Sequence, residues 1–196
     1  MNIVLATDNN FIQHCCVTIT SILCNNKDVD IFIITEGLSA ENGNILKKQT
    51  EKYGGRFHIA LVDKKVIAKL PMPKTAAMHI SPATYYRLFV AELLPENVDK
   101  LIYLDCDIIV RGSLEEYWNI DIEGKPLAAV YQRNSWATNT YKGRISSYVR
   151  LDMKDAVGYF NAGSLLINLK YWREQDVQNK LLSFMETHYD RIISHD

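Results

Sequence analysis

Two aspartates, Asp105 and Asp107, lie in an otherwise apolar stretch of the chain, directly after the run 101–104. Side chains two residues apart in an extended chain point to the same side, so both carboxylates can reach one cation. Burying two like charges without a partner is costly, and a divalent cation, which prefers oxygen ligands, removes that cost. Such an ion would hold a diphosphate and stabilise the charge that it gains as a leaving group.

Asp28 and Asp30 have the same spacing and serve as an internal control. They follow the polar residues 25–27, and we expect a turn in which both side chains are solvated and bind no metal. Asp105 and Asp107 instead follow a predicted buried strand, at the carboxyl end, where open parallel sheets bind ligands. From local sequence alone, a metal site and an ordinary acidic pair both remain open at Asp105 and Asp107.

A second candidate segment, residues 6–11, directly follows the first predicted strand. Asp8 can accept a hydrogen bond from the imide of a nucleobase, and Phe11 can stack on the base. The alternative is that Asp8 and Asn10 cap the helix that follows. The chain contains neither Gly-x-Gly-x-x-Gly nor G-x-x-x-x-G-K, which argues against a conventional dinucleotide or nucleoside-triphosphate site.

Two further candidates lie in the segment 159–163 and in a predicted helix. The small residues of that segment permit close approach of a backbone, and Asn161 offers both a donor and an acceptor. An ordinary turn at the entrance to a strand has the same composition. Arg87 lies among aromatic residues of the predicted helix 84–94, where a salt bridge or a surface position is the alternative to a ligand contact.

Apolar runs and helical patterns alternate, as is typical of a parallel sheet with crossover helices. Strands are predicted over residues 3–6, 31–34, 57–62, 101–104, 127–131 and 164–169. Helices are predicted over residues 11–23, from the N-cap Ser39 to a stop at 54–55, and over 84–94, 113–116 and 170–189. Loops are predicted around Pro71, Pro73 and Pro82 and over residues 134–153. Because no repeat or linker divides the chain, we expect a single α/β domain over residues 1–196.

The composition excludes several classes of protein. The 196 residues are 47% hydrophobic and 23% charged, with a net charge of -1, so the bulk charge predicts no nucleic acid partner. The four cysteines have no C-x-x-C spacing, which favours reduced thiols over a zinc ribbon or a disulfide scaffold. The chain start lacks signal-peptide features, and the apolar stretch 15–24 is too short to span a bilayer. We therefore expect a cytoplasmic protein.

Five segments in one consistent order resemble glycosyltransferase family eight, which includes bacterial lipopolysaccharide galactosyl- and glucosyltransferases and glycogenin. They are IVLATD (3–8), SPATYYRL (81–88), YLDCD (103–107), FNAG (160–163) and NLKYWR (168–173). The resemblance implies an α/β, Rossmann-like nucleotide-diphospho-sugar transferase fold of the A type, with a mostly parallel central sheet flanked by helices. It also implies a retaining hexosyltransferase that uses Mn²⁺ or Mg²⁺. The donor would be UDP-galactose or UDP-glucose, and the acceptor a saccharide or lipopolysaccharide.

Carried over position by position, the resemblance assigns roles to individual residues. Asp105 and Asp107 become the metal ligands, and Cys106 meets the ribose through its backbone, with no chemical role for its thiol. The residues that would face the nucleoside are Ala6, Asp8, Asn10 and Phe11. Phe11 stands where several members have tyrosine, so stacking survives and a hydroxyl contact is lost. The residues that would lie near the donor sugar are Arg87, Asn161, Ala162, Gly163 and Asp196, of which Asp196 matches the first aspartate of the family's Asp-Gln-Asp segment.

The chain departs from the family pattern at its end. The glutamine that follows that first aspartate is absent, and so is the C-terminal His-x-x-Gly-x-x-Lys-Pro-Trp segment, which supplies the third metal ligand and a diphosphate-binding lysine. A tail for peripheral docking at the inner face of the membrane would also lie beyond residue 196. We therefore expect this chain to bind metal and donor weakly and to transfer sugar poorly or not at all.

Two other functions remain open at this stage. One is a metal-dependent nucleotidylyltransferase, although the Gly- and Lys/Arg-rich loop expected after its first strand is missing from residues 6–11. The other is a nucleotide-sugar-binding module without transfer activity.

Overall fold

The computed structural model describes residues 1–70, 82–132 and 159–192, which form a sheet in the order β3-β2-β1-β4-β6-β5. The strands are β1 (Asn2–Ala6), β2 (Asp30–Thr35), β3 (Arg56–Leu61), β4 (Lys100–Leu104), β5 (Leu127–Gln132) and β6 (Tyr159–Asn168). The α-helices are α1 (Ile12–Asn25), α2 (Ala40–Lys52), α3 (Lys64–Ile67), α4 (Val90–Leu93), α5 (Glu115–Trp118), α6 (Leu169–Glu174) and α7 (Val177–His188). Two 3-10 helices cover Pro82–Phe89 and Tyr189–Arg191.

The strands β3, β2, β1 and β4 run parallel to one another. The sequences of β1, β2 and β4 are largely apolar because helices cover both faces of the sheet, whereas the edge strand β3 is mostly exposed and carries Arg56 and His58. On one face, Ile3 packs in a cluster with Ile19 of α1 and Leu46 of α2. On the other face, Val4 belongs to a cluster with the 3-10 helix and α6. The predicted α/β fold with a mostly parallel, helix-flanked sheet is confirmed.

The order of the strands reverses at β1. From β1 the chain proceeds to β2 and β3 on one side and then returns to place β4 on the other side. In open α/β sheets, the carboxyl ends of the two strands at such a reversal border a crevice that binds ligands. The segments that follow β1 and β4 are the two that carry Asp8 and Asp105.

The last strand differs most from its prediction. The apolar pattern predicted residues 164–169, but β6 begins at Tyr159, so Asn161 and Gly163 lie inside a strand and not in a turn before it. β6 is antiparallel to both β4 and β5, a direction that an apolar run does not reveal. Its pairing with β5 skips residues 162–164, a local irregularity of the kind that often re-aims side chains near sites.

The helices agree with the predictions in part. Ser39 caps α2, since its hydroxyl accepts a hydrogen bond from the N–H of Asn42 (3.1 Å), as predicted. The predicted single helix over 170–189 is wrong: it is interrupted at Asp176, whose φ of 53° cannot continue an α-helix. The segment 84–94 is mostly a 3-10 helix. The predicted loops around Pro71 and over 134–153 lie outside the described residues. Among the helices that the structure describes, none is long and apolar enough to cross a membrane.

Arg173 joins α6 to the segment that precedes β4. Its guanidinium donates hydrogen bonds of 3.0–3.1 Å to five backbone carbonyls, those of Ala91, Leu94, Pro95, Glu96 and Val98. The neighbouring Trp172 is buried, and its Nε1 donates to the carbonyl of Pro126 (3.0 Å). The segment 168–173 therefore stabilises the packing of α6 against the chain before β4. This structural role explains why the segment is shared with the family.

Replacing Arg173 by lysine should destabilise the protein. An ammonium group has three donors and cannot satisfy five carbonyls arranged around a planar guanidinium. Because several of these carbonyls are reachable by water, we expect a loss of about 1–2 kcal/mol in the free energy of unfolding, measured by urea denaturation. The control is Arg111→Lys at an exposed position, which should be neutral. Equal stability of the two variants would contradict the role given to Arg173.

The control pair Asp28 and Asp30 is not the solvated turn that its sequence predicted. Asp28 is 95% exposed, but Asp30 opens β2 and accepts two hydrogen bonds from Arg56, at 2.8 and 2.6 Å. His58 Nε2 lies 2.9 Å from the same carboxylate. The hydrogen bond with Arg56 is the main cause that lowers the pKa of Asp30 from 3.8 to about 2. Asp30 is thus committed to an ion pair at the amino end of the sheet.

The lowered pKa of Asp30 predicts an acid-dependent contribution to stability. A carboxylate whose pKa is lower in the folded state stabilises that state above its unfolded pKa, here 3.8, and loses this effect as the pH falls towards about 2. Since Arg56 is about half exposed, we expect Asp30→Asn to cost only about 1 kcal/mol at neutral pH. The difference from the unmodified protein should disappear below about pH 2. Thermal or urea unfolding across this range measures it. The control is Asp99→Asn at an exposed position, since Asp28 itself lies 4.0 Å from Arg56; a difference that does not depend on pH would contradict the assignment.

Candidate functional site

The carboxyl ends of β1 and β4 meet because the two strands are neighbours, with Val4 paired to Tyr103. The Cys106 thiol donates a hydrogen bond to the carbonyl of Ala6 (3.2 Å), and Thr18 donates to the carbonyl of Cys106 (2.6 Å). The structure thus brings two of the predicted site segments into contact. The thiol of Cys106 is buried, and all four cysteines are free.

Asp105 is held by several protein groups, although 33% of its side chain is exposed. Its Oδ1 accepts hydrogen bonds from the hydroxyl of Tyr103 (2.9 Å) and from Nη2 of Arg87 (3.3 Å). Its backbone N–H donates to the carbonyl of Gly163 (2.8 Å). Both side-chain hydrogen bonds from the described residues end on Oδ1, which leaves the lone pairs of Oδ2 for another partner.

Arg87 is a buried arginine, with only 10% of its side chain exposed. Its Nη1 donates to the carbonyl of Ala162 (2.6 Å) and its Nε to that of Thr84 (3.0 Å). The guanidinium carbon lies 4.7 Å from the centre of the Tyr103 ring, within cation–π range. Arg87 therefore offsets the charge of Asp105 at a partly buried position where an unpaired carboxylate would be costly.

Tyr103 is a site residue that the sequence analysis missed, because it was counted only as part of an apolar strand. Burial is the main cause that raises the pKa of its hydroxyl well above the ordinary value, so the group is a hydrogen-bond donor. The signal was present in the sequence: Tyr103 is the one residue of the strand 101–104 with a polar tip, and it precedes Asp105 by two positions.

Gly163 passes close to the Asp105 carboxylate. A Cβ at this position would lie 2.6 Å from Asp105 Oδ2 and 3.0 Å from Asn161 Oδ1. Asn161 is exposed, and its Oδ1 accepts a hydrogen bond from the N–H of Gly163 (2.8 Å). With the carbonyl of Ala162 bound by Arg87, the structure brings all three predicted residues of β6 to the same place as Asp105.

Asp107 does not continue an extended strand. β4 ends at Leu104, and the chain then turns, with the N–H of Ile108 donating to the carbonyl of Asp105 (3.3 Å). The alternation of an extended chain, on which the expected shared direction of the two carboxylates rested, is therefore wrong here. Asp107 lies in this turn, two residues after Asp105 in the sequence, and its side chain is exposed.

The donor atoms at this edge suit a hard divalent cation. Oδ2 of Asp105 and the carboxylate of Asp107 are oxygen ligands, which Mg²⁺ and Mn²⁺ prefer. Among the residues that the structure describes, no three His, Cys, Asp or Glu side chains are grouped so that they could hold a metal ion. These two carboxylates could supply at most part of a coordination shell, and an ion held there would take its remaining ligands from water, from phosphate oxygens or from other groups.

The segment that follows β1 is folded by its own polar groups. Asp8 Oδ1 accepts a hydrogen bond from the N–H of Asn10 (2.8 Å), and the carbonyl of Asp8 accepts from the N–H of Phe11 (3.3 Å). Phe11 occupies the N-cap position of α1 and makes no side-chain cap hydrogen bond. The alternative that Asp8 or Asn10 caps this helix is therefore wrong, and both residues stabilise the turn before it.

Phe11 and His14 form a stacked pair at the start of α1. Their ring centroids are 4.1 Å apart and their planes are inclined by 16°, while 40% of Phe11 remains exposed. His14 was not predicted as a site residue, although its i, i+3 spacing from Phe11 puts the two on one helix face. The stack restrains a flat aromatic surface beside Asp8.

Glu36 and Tyr86 also belong to this edge and were missed. Burial and a hydrogen bond with the Glu36 carboxylate raise the pKa of Tyr86, and the charge of Asp8 acts in the same direction. These three groups are therefore close enough to interact. The available signal was that Glu36 directly follows β2, at the carboxyl end of a parallel strand. Asp196, the remaining predicted site residue, lies outside the described residues.

Known proteins resemble this chain in sequence and in fold. The sequence profile described as Glycosyl transferase family 8 matches residues 2–196. General stress protein A of Bacillus subtilis is 27% identical in an alignment of 202 positions, which covers 100% of this chain and 66% of that protein. The lipopolysaccharide 1,3-galactosyltransferase of Salmonella typhimurium is 26% identical over 190 residues, which cover 94% of this chain and 53% of that protein.

A solved structure shows the same fold. The galactosyltransferase LgtC, in complex with donor and acceptor sugar analogues, is 30% identical and has a TM-score of 0.84, over 98% of this chain and 66% of that chain. This chain therefore spans about half to two thirds of the length of these proteins. Because the family profile matches all but the first residue and the fold is shared, the chain belongs to glycosyl transferase family 8, as its five segments predicted.

Proposed function

We propose that the protein is a hexosyltransferase, which transfers galactose or glucose from a UDP-sugar to a saccharide or lipopolysaccharide acceptor. Family membership and the similarity to a lipopolysaccharide 1,3-galactosyltransferase support this proposal. The observation that carries it is the state of Asp105. This carboxylate stands at the reversal point of the sheet, with one oxygen held by Tyr103 and Arg87 and the other available to a cation.

A divalent cation, Mn²⁺ or Mg²⁺, is part of the proposal, with Asp105 and Asp107 as its protein ligands. When bound, such an ion supplies positive charge that stabilises a diphosphate leaving group. Arg87 adds a fixed positive charge at the same edge. Because it is already oriented by Ala162 and Thr84, it needs little reorganisation during the reaction.

The donor would lie along the edge from β1 to β6. Asp8 and Asn10 would hydrogen-bond the base, and the exposed part of Phe11 would stack on it. Ala6 and Cys106, which are in contact, would border the nucleoside with backbone atoms. The sugar would lie against β6 near Asn161, whose side chain is exposed, and near the backbone of Ala162 and Gly163. Asp196 would contact its hydroxyls.

Retention of the anomeric configuration is also proposed. The transition state would have oxocarbenium character, as in glycoside chemistry generally. A front-face route, in which the leaving phosphate helps to deprotonate the acceptor, requires no base from this chain. An NMR assay of the product that shows inversion would exclude this route.

A nucleotide-sugar-binding module without transfer activity is the second candidate. The observation that favours it is that the described residues offer two carboxylates, and no larger group of metal-binding side chains, at the site. For the same reason, we expect this 196-residue chain to bind metal and donor weakly. Thermal shifts with UDP-galactose and UDP-glucose, with and without Mn²⁺, test binding and the preference between the two sugars. Micromolar Mn²⁺-dependent UDP binding in calorimetry would contradict the expected weakness.

Neutralising either aspartate should remove the metal-dependent part of donor binding. In Asp105→Asn and Asp107→Asn, we expect the affinity for UDP at saturating Mn²⁺ to fall at least about tenfold, or about 1.4 kcal/mol, because a neutral amide is a poor ligand for a hard cation. Metal-independent UDP binding should change little. Isothermal calorimetry measures both quantities, and Asp28→Asn is the matched control, since Asp28 is exposed and lies at the other end of the sheet. If the Mn²⁺-dependent affinity is retained in both variants, the metal assignment is wrong.

The proposal also requires that Gly163 leave room beside Oδ2 of Asp105. In Gly163→Ala, the added Cβ would meet the carboxylate and Asn161, and we expect a loss of about 1–3 kcal/mol in stability. The cost should be smaller in an Asp105→Ala background, where the obstructing group is gone. Gly43→Ala, in open space on α2, is the control and should be neutral or stabilising by up to about 1 kcal/mol. An equal cost in both backgrounds would show that Asp105 is not what Gly163 accommodates.

A further inference from the structure

The Asp105 carboxylate takes its orientation from the core beneath it. Tyr103 is 1% exposed and lies in the middle strand of three, where its backbone is paired with Val4 of β1 and Leu165 of β6. A tyrosine fixed by strand ladders on both sides has little freedom to move its hydroxyl. That hydroxyl donates to Asp105 Oδ1 at 2.9 Å, so the position of the oxygen is set by the sheet itself.

The hydrogen bond from Tyr103 to Asp105 does more than provide an acceptor for the buried tyrosine hydroxyl. A buried hydroxyl needs an acceptor, but a backbone carbonyl or a neutral side chain would serve. Here the acceptor is a partly exposed carboxylate, and a second donor, Nη2 of Arg87, reaches the same oxygen at 3.3 Å. Two donors on Oδ1 restrict rotation of the carboxylate about its last bond, and Oδ2 is left beside Gly163.

We propose that Tyr103 is a positioning residue for the cation site: its hydroxyl holds Oδ1 of Asp105 so that Oδ2 is presented to the divalent ion. The inference rests on the proposed function, because it assumes that Asp105 is a metal ligand. It adds a residue outside the ligand set. Groups that orient metal ligands in this way commonly affect metal affinity by tenfold or more.

The variant that isolates this hydroxyl is Tyr103→Phe. The phenylalanine ring fills the same space in the core and keeps an aromatic face beneath the Arg87 guanidinium, now 4.7 Å from the tyrosine ring centre. Only the hydrogen bond to Oδ1 is removed. With one donor left, the carboxylate gains freedom that it must lose again when the ion binds.

The matched control is Tyr117→Phe. Tyr117 is a partly buried tyrosine of α5 whose hydroxyl lies 3.5 Å from Ser164 Oγ and does not contact Asp105. It undergoes the same chemical change, but its hydroxyl contacts Ser164 and not the carboxylate. Any effect shared by the two variants reflects the loss of a buried hydroxyl in general.

The experiment measures Mn²⁺ binding directly, from the electron paramagnetic resonance signal of the free aqua ion, in the presence of saturating UDP. We expect the dissociation constant for Mn²⁺ to rise about tenfold in Tyr103→Phe and to stay within about twofold of the unmodified protein in Tyr117→Phe. UDP binding without metal should be the same in all three proteins. A purely structural role for Tyr103 would lower the unfolding temperature and weaken metal-free UDP binding as well.

Asp105→Asn, measured in the same way, tests the metal site at Asp105 separately from the positioning role of Tyr103. If Asp105→Asn abolishes Mn²⁺ binding while Tyr103→Phe binds it normally, the positioning role is wrong and the proposed metal site stands. If Mn²⁺ binds equally well to Asp105→Asn and to the unmodified protein, the metal site and the positioning role both fall. Should Tyr103→Phe prove less stable, its crystal structure decides: an Asp105 carboxylate in the unchanged orientation would also overturn the inference.

Discussion

A negative charge held where a buried sheet ends is the constraint on which the rest of this structure depends. The four residues before Asp105 are at most 2% exposed, so the carboxylate begins where the core stops. Arg87 offsets its charge through one oxygen only. At the opposite end of the sheet, Arg56 grips both oxygens of Asp30. Each of these two residues belongs to an Asp-x-Asp pair. What distinguishes them is the number of carboxylate oxygens that hydrogen-bond to protein groups: both oxygens of Asp30 accept from Arg56, whereas the side-chain hydrogen bonds of Asp105 with described residues end on Oδ1 alone.

The order of the strands explains why residues far apart in sequence meet at this carboxylate. β1 and β4 become neighbours because the chain reverses its direction across the sheet after β3, and this brings Cys106 against Ala6. β6 then inserts beside β4 in the opposite direction. Its antiparallel course carries the start of the strand, not its end, to the carboxyl edge of β4. Asn161 and Gly163 therefore reach Asp105 from the beginning of β6, and the carbonyl of Ala162 becomes available to Arg87.

The parts of the fold that the sequence predicted are those determined by local chemistry. Continuous apolar runs identified the buried parallel strands, and Ser39 marked the start of α2. The direction and the true beginning of β6 were not predictable, because a pattern of apolar residues carries no direction and Asn161 resembles a turn residue. The positive φ of Asp176 was not predicted either, because aspartate enters the left-handed region only somewhat more often than other residues and its type alone does not mark the break. At the site, the residues with obvious chemistry were found, while Tyr103 and His14 were missed because their roles depend on which side chain they touch.

Some of the five segments that identified the family carry residues of the candidate site, and others make structural contacts. The two kinds of segment are connected in the structure. Arg87 belongs to the site, and Arg173 lies in a segment whose contacts are all structural. Yet Arg173 binds the carbonyls of residues 91–98, which directly follow the 3-10 helix that carries Arg87. A 3-10 helix of this length has weak internal hydrogen bonding, so external contacts must fix its position. By fastening the chain just beyond this helix to α6, Arg173 helps to keep the buried guanidinium of Arg87 above Tyr103 and against Oδ1 of Asp105. Arg173 thus helps to keep the Asp105 carboxylate paired with Arg87, although Arg173 itself does not contact Asp105.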